Sequence, residues 1–346
     1  MDINSFLLTE CSEYLYHYDC QYRDVSEFIE MDALDDRQKM AVALIRNIMA
    51  AHGKEQLLDE ITGLIEIERG IRELEPWARE HGTHSLLTFL IGIYLNERYI
   101  KPKLGNKVDK LQWKLAGLFH DVGYPIEYAS NIIFTYFERV DMIARKTGVN
   151  RCAMRLPMDF RRLTRLTNGW NSLNIIQTYL YKWDLKIMAK NELDKMCRSD
   201  RINHGIVSSL TILYLIDQMY QKNNKRRAYE DKYVNYSSIN WSQEYFDTDI
   251  CSACAAIYIH SLPSSSYNGS KIDITKAPLA FLLKVSDVLQ EWERPSKLNI
   301  SGYPANNFDI SIVGDEIHFF ANVETKRKLQ IVDELIVIDG ELVVVS

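Results

Sequence analysis

Four histidines of this sequence share one kind of position, at an end of an apolar segment with helical spacing. Imidazoles and carboxylates are ligands for divalent metal ions, and helix ends in a bundle can converge on one interior site. A single histidine beside an apolar segment is more often a core or boundary residue than a ligand. The ordered set is what points to a metal site: His84, His120 followed directly by Asp121, His204, His260 and, inside a fifth apolar segment, Asp287.

The stretches around these residues resemble the HD-domain superfamily of metal-dependent phosphohydrolases. LAGLFHDVGYP, residues 115–125, resembles the histidine–aspartate motif that gives the superfamily its name. KAPLAFLLKVSDVLQEWERP, residues 276–295, resembles its closing helix, which supplies the last aspartate. INHGIVSSL (202–210) and AAIYIHS (255–261) resemble the two intermediate histidine segments of members with two metals. The resemblance spans residues 80–295.

The resemblance implies one or two divalent metal ions, drawn from Mn, Fe, Ni, Co, Zn and Mg. The first ion would be held by four residues: His84, His120, Asp121 and Asp287. A second ion would be held by His204 and His260, with Asp121 as the bridging ligand. A metal-bound hydroxide would then attack phosphorus in line with the leaving group. The implied activity is that of a phosphatase or phosphodiesterase that cleaves a phosphate ester of a nucleotide or a related compound.

Basic and aromatic residues close to these motifs are candidates for work on the substrate. Lys284 lies three residues before Asp287 on the same predicted helix and is predicted to act with Asp121 in catalysis. Tyr124 could stack on a base, and Arg294 could meet a substrate phosphate. A snorkelling surface lysine is an equally good interpretation of Lys284.

A second group of candidates belongs to an arginine-rich stretch, RCAMRLPMDFRRLTR, at residues 151–165. Guanidinium groups bind phosphate well, so Arg161 and Arg165 are predicted to bind substrate. A solvated helix face or salt bridges would also explain the stretch.

Two other interpretations of the motif set stay open. One is a regulatory or scaffold protein that keeps the HD fold, binds a nucleotide or a protein partner, and is catalytically inactive. The other is a centre with one metal, in which His204 and His260 bind phosphate or act as general acid. The cyclic-dinucleotide phosphodiesterase branch is not assigned, because Tyr124 stands where that branch carries lysine and Ser261 follows His260 where it has a second histidine.

The elements that must position these residues are predicted to be mainly α-helices, at 84–99, 111–121, 129–147, 171–197, 204–221, 250–261 and 276–291. After Pro295 the chain is rich in Ile, Val and Phe, and turn signals at 314–315 and 339–340 predict two β-hairpins. The predicted fold is therefore an HD-type helical bundle with a small C-terminal antiparallel β element. We expect a helical extension at 1–80, an HD-type domain at 81–297 with an insertion around 130–200, and the hairpins at 298–346.

Composition bounds the remaining expectations. The chain has 346 residues, of which 47% are hydrophobic and 25% charged, which is typical of a globular protein. A formal net charge of −6 makes nucleic acid an unlikely partner. The N-terminus lacks a signal-peptide pattern, and the six cysteines form no disulfide framework, so we expect a cytoplasmic protein without membrane association. Edge strands of the hairpins could pair with a second copy of the chain.

Overall fold

The apolar segments that carry the candidate ligands are α-helices whose residues are mostly buried. The structure is a computed structural model, and it describes residues 3–31, 33–61, 63, 81–147, 159–167, 169–199, 201–230, 242–289, 309–314, 316–320, 330–337 and 342–345. The mainly α fold class predicted from the sequence is confirmed. Among the helices in these ranges, none has both the length and the apolar character needed to cross a lipid bilayer.

The helices have the following bounds: α1 Ile3–Thr9, α2 Ser12–Leu15, α3 Tyr22–Glu30, α4 Leu34–Ala50, α5 His81–Leu95, α6 Lys110–Phe119, α7 Tyr124–Thr147, α8 Ser172–Lys182, α9 Ala189–Ser199, α10 His204–Glu230, α11 Cys251–His260 and α12 Pro278–Leu289. Shorter helical turns lie at Tyr16–Tyr18, Asn96–Ile100, Lys101–Leu104, Phe160–Thr164, Gln243–Tyr245, Phe246–Ile250 and Ser264–Tyr267. The helices predicted around the four histidines and Asp287 agree with these bounds to within about four residues, except that α10 continues nine residues past the predicted end at 221.

Helix α11 lies at the centre of the bundle. All ten of its residues are buried, because a helix that is apolar on every side must be covered on every side. It packs against α6, α8, α10 and α12, and α12 in turn packs against α5. This arrangement brings the ends of the ligand-bearing helices to one interior point.

The predicted helix at 171–197 is wrong as a single element, since the structure divides it into α8 and α9. The chain turns at Asp184, whose φ of 59° is left-handed. Gln177 stabilises the turn, because its side-chain amide donates to the carbonyl of Ile187 and accepts from the backbone N–H of Ala189. A side chain of α8 thereby satisfies the backbone groups that the broken helix leaves unpaired.

The strands confirm one predicted hairpin and contradict the other. Strands β2 (Asp309–Val313) and β3 (Glu316–Phe320) pair in antiparallel fashion around the predicted turn. Strand β4 (Ile336–Val337) instead pairs in parallel with β1 (Ile272–Asp273), and β5 (Leu342–Val345) pairs in parallel with β3. An Asp–Gly signal favours a turn but does not choose the partners of the strands on either side. That pair, at 339–340, lies outside the described residues.

The N-terminal helices hold the two helices that carry the first ligands. The side-chain oxygen of Gln38, on α4, accepts a hydrogen bond from the backbone N–H of Thr83, the residue before His84. On α6, the fully buried Lys114 pairs with Asp19 and donates to Nε2 of His52 at 3.0 Å. The boundary predicted near residue 80 stays a prediction.

We expect the Gln38→Ala protein to be less stable than the wild type by about 1–3 kcal/mol, because a buried N–H at the start of α5 loses its acceptor. Urea unfolding measures the change. The exposed Gln243→Ala substitution is the matched control and should change the free energy of unfolding very little. Equal stability of the two variants would contradict this role of Gln38.

We also expect His52 to make stability depend on pH. Burial, together with Lys114 and Lys54, lowers the pKa of His52 to about 4. The unfolded chain therefore takes up a proton on His52 as the pH falls below about 6.5, whereas the folded chain does not, and stability is lost towards pH 4. In metal-free protein, the His52→Gln variant should lose less stability than the wild type between pH 7 and 4. An equal or larger loss in the variant would contradict the assignment.

Candidate metal centre

The structure brings all six candidate ligands into one cluster at the ends of four helices and in the turn after α6. His84 lies in the first turn of α5, and His120 and Asp121 follow the end of α6. His204 is the first residue of α10, His260 is the last of α11, and Asp287 lies in the last turn of α12. The cluster contains three overlapping sets of three residues. Within each set, one nitrogen or carboxylate oxygen atom per residue lies within 4.8 Å of the other two: His84–His120–Asp121, His120–His260–Asp287 and Asp121–His204–His260.

The carboxylate of Asp121 lies at the middle of the cluster. Its Oδ1 is 3.3 Å from Nε2 of His204, 3.4 Å from Nε2 of His260 and 3.6 Å from Nε2 of His120. Its Oδ2 is 3.3 Å from Nε2 of His84. The two oxygens of one carboxylate therefore face different imidazoles, which is the arrangement required of a bridging ligand.

Asp287 completes one side of the cluster. Its Oδ1 lies 3.1 Å from Nε2 of His84 and 3.6 Å from Nε2 of His120, and these two nitrogens are 3.1 Å apart. Nitrogen and oxygen atoms of three side chains thus converge beside Asp121. Such a mixed set suits a divalent transition metal, whereas Mg²⁺ prefers oxygen ligands.

Hydrogen bonds fix the orientation of three of the four rings. Nδ1 of His120 donates to the carbonyl of Gly117 at 3.0 Å, and Nδ1 of His260 donates to the carbonyl of Ile257 at 2.6 Å. Nδ1 of His204 lies 2.7 Å from Oε2 of Glu127. Because these partners are acceptors, Nδ1 carries a proton and Nε2 faces the cluster. Histidine ligands of metals are usually oriented in this way.

The electrostatics of the cluster favour a bound cation. Burial disfavours the ionised form of Asp121, yet the surrounding imidazoles hold its pKa well below the usual range. Burial likewise opposes charge on His120 and His204, but the carboxylates around them raise the pKa of both. Burial lowers the pKa of His260, which stays neutral. Despite burial, His120 and His84 likewise hold the pKa of Asp287 well below the usual range. The two carboxylates are therefore ionised in the protein interior, where a divalent ion could take the place of imidazole protons in balancing their charge.

A buried nitrogen of His260 gives a further indication of whether these residues fit a metal ion. Nε2 of His260 has no hydrogen bond to any described residue, although Oδ1 of Asp121 lies 3.4 Å away. Buried polar groups in folded proteins are nearly always satisfied. A metal ion would satisfy this nitrogen, so the donor set fits the group that the motifs imply.

The exposure of the ligands shows which side of the cluster faces solvent. The side chains of His84, His120 and His260 are 0% exposed, whereas those of His204 and Asp287 are 18% and 22% exposed. The cluster is therefore open to solvent at His204, on α10, and at Asp287, on α12.

Two glycines allow the helices to come this close. A Cβ on Gly123 would lie 2.7 Å from the carbonyl oxygen of His204, and one on Gly205 would lie 2.9 Å from Nδ1 of His260. The backbone N–H of Gly123 also donates to the hydroxyl of Ser208, on α10. The turn after Asp121 and the end of α11 thus both pack against the first turns of α10.

The structure places two of the predicted substrate or catalytic residues beside the cluster. The ring of Tyr124 contacts the rings of His81 and His204, with centroid distances of 4.2 Å and 5.4 Å. The ammonium group of Lys284 donates to the backbone carbonyl of His260, and burial lowers the pKa of Lys284. Lys284 therefore holds the end of α11 in this structure, and its part in catalysis stays a prediction.

Among the described residues, no contact joins the predicted substrate-binding arginines, Arg161 and Arg165, to the His/Asp cluster. Arg161 is exposed and forms an ion pair with Asp194, on α9, at 3.1 Å. Arg165 is exposed as well. Arg294 and the first part of the arginine-rich stretch lie outside the described residues. The salt bridge of Arg161 agrees with the structural alternative for this stretch.

Glu127 is the residue that the sequence reasoning missed. Its Oε2 accepts from both the backbone N–H and Nδ1 of His204. The sequence does contain a signal for Glu127, because it is an acidic residue in the first turn of the helix that follows the histidine–aspartate pair.

Comparison with protein-family models, with curated proteins and with solved structures finds no match to this chain. The geometry alone therefore defines the class: a mainly helical protein with a buried His/Asp cluster that can hold a metal ion.

We expect Asp121→Asn to remove most of the bound metal, because the amide lacks the charge and the second ligand oxygen of the carboxylate. Elemental analysis of protein incubated with Mn²⁺ and then desalted measures the change. Asp217→Asn is the matched control, since Asp217 is equally buried but accepts hydrogen bonds from Thr167 instead. Metal retained in the Asp121 variant, or absent from the wild type, would contradict the site.

Proposed function

We propose that this protein is an HD-type metal-dependent phosphohydrolase that cleaves a phosphate ester of a nucleotide. The observation that carries the proposal is the position of Asp121, whose two carboxylate oxygens face different imidazoles in a buried cluster. A bridging carboxylate between two groups of ligands is what a centre with two metals requires. The HD assignment is supported by the order of the ligands along the chain and by their positions at helix ends.

Under this proposal the first ion would be held by His84, His120, Asp121 and Asp287. Asp121 would also be a ligand of the second ion, together with His204 and His260. Ions bound there would lower the pKa of a water molecule and neutralise charge on phosphoryl oxygens.

The protein's own residues provide binding, orientation and exclusion of water. The carbonyls of Gly117 and Ile257 keep the lone pairs of His120 and His260 directed at the centre. Burial of these rings keeps bulk water away from their side of the centre, which strengthens every charge interaction inside. The open face beside His204 and Asp287 leaves one direction for a phosphate to enter.

Aromatic rings next to that open face support a nucleotide as the substrate. Tyr124 and Tyr128 stack with centroids 5.8 Å apart and planes 26° from parallel, and Tyr124 also contacts His204. Both tyrosines are half-buried, at one turn's spacing on α7. Stacking on an aromatic side chain stabilises a base by about 1–3 kcal/mol and tolerates different bases. A phosphate at the metal centre would therefore have rings nearby to receive its base.

The test incubates Mn²⁺-loaded protein with a panel of nucleoside monophosphates, cyclic nucleotides and dinucleotides and separates the products by chromatography, which detects the nucleoside and phosphate from a monoester and the nucleoside monophosphate from a diester. We expect hydrolysis that depends on Mn²⁺ and falls by about 10²-fold or more in Asp121→Asn. Tyr128→Ala should raise KM for a nucleotide while leaving KM for glycerol phosphate unchanged. Metal binding without hydrolysis of any phosphate ester would overturn the proposed enzymatic activity and favour a catalytically inactive scaffold protein.

A further inference from the structure

The imidazole of His204 is held differently from the other rings of the cluster. His120 and His260 are fully buried, and each donates its Nδ1 proton to a carbonyl within its own helix. His204 is partly exposed, and its Nδ1 donates to a side chain from another helix, Glu127 on α7. Packing and local backbone fix two of the rings, whereas the hydrogen bond that orients the third comes from a single carboxylate on another helix.

We propose that Glu127 is a positioning residue that decides whether the half of the centre formed by Asp121, His204 and His260 holds its metal ion. The inference rests on the proposed metal centre and deepens it, since it makes the two halves unequal. The half that includes His84, His120 and Asp287 does not depend on Glu127.

Two contacts made by one oxygen carry this proposal. Oε2 of Glu127 lies 2.7 Å from Nδ1 of His204 and 2.6 Å from its backbone nitrogen. The second contact satisfies an unpaired N–H at the start of α10 and places negative charge at the positive end of that helix. Ring and backbone of the ligand are therefore fixed together, and Nε2 is directed at Oδ1 of Asp121, 3.3 Å away.

The chemistry of the acceptor adds to its geometry. A carboxylate that accepts the Nδ1 proton makes the opposite nitrogen of the ring a stronger donor to a metal than a backbone carbonyl does. Loss of such a partner typically weakens metal binding by about 10–100-fold. We therefore expect that the half with four ligands, which includes His84, His120 and Asp287, fills first and that occupancy of the half with His204 is set by Glu127.

The variants Glu127→Gln and Glu127→Ala test this. The amide of Gln keeps an oxygen that can accept from both the backbone N–H and Nδ1 of His204 but lacks the charge, so it separates the effect of the carboxylate charge from that of the two hydrogen bonds. Glu316→Gln is the matched control, because Oε2 of Glu316 pairs with Nε2 of His318 at 2.8 Å in strand β3, outside the cluster. Thermal unfolding of the metal-free full-length proteins checks that each variant folds.

Calorimetric titration of each metal-free protein with Mn²⁺ gives the Kd of each site. Electron paramagnetic resonance then distinguishes a coupled Mn²⁺ pair from isolated ions. We expect two sites in the wild type and in Glu316→Gln. In Glu127→Gln the Kd of the weaker site should rise by about 10–100-fold while the Kd of the tighter site is unchanged. The resonance signal of the coupled Mn²⁺ pair should then be absent at two equivalents of Mn²⁺ per chain. Glu127→Ala should show at least the same loss.

Each other outcome overturns a defined part of the argument. Two unchanged Kd values in both Glu127 variants would overturn the inference and leave the metal centre intact. Equal weakening of both sites, or loss of folding in both variants, would show that Glu127 is a general structural residue and would also overturn it. A single site in wild type would overturn the inference while leaving a mononuclear centre. No metal in wild type would overturn the proposed function itself.

Discussion

The rest of the structure depends on the contacts between the buried carboxylate of Asp121 and the imidazoles around it. An isolated ionised carboxylate in a protein interior costs several kcal/mol, so polar or charged partners must surround it. Four imidazoles surround this one, and each comes from a different part of the chain. The helix ends therefore have to meet at Asp121, and the apolar lengths of the same helices form the core around it.

This constraint explains why the helices approach so closely near the centre. The turn after Asp121 and the first turns of α10 are in contact through Gly123 and Gly205, where side chains would not fit. Helix α11 has no exposed face, because its last residue must reach the middle of the bundle. The same convergence of helix ends therefore places the polar ligands at one point and surrounds them with apolar helix residues.

The sequence predicts the ligand-bearing helices well, because each is a long apolar segment with a charge-prone residue at or near its end. Prediction was weaker where partners far apart in sequence decide the outcome. The Asp–Gly pair at 339–340 signalled a turn, but β4 and β5 take their partners from β1 and β3. The helix at 171–197 is broken by the turn at Asp184, which Gln177 stabilises through side-chain contacts that periodicity cannot reveal. Glu127 was missed for the same reason, since its partner is 77 positions away.

The hydrogen bond from Thr83 to Gln38 has a consequence for how the molecule responds to a ligand. His84 follows Thr83 directly, so a helix that contributes no ligand is bonded to the backbone beside one that does. Free energy released when an ion binds at the centre stabilises the folded state as a whole, including elements that never touch the ion. The docking of α4 and the occupancy of the centre are therefore thermodynamically linked, and each strengthens the other.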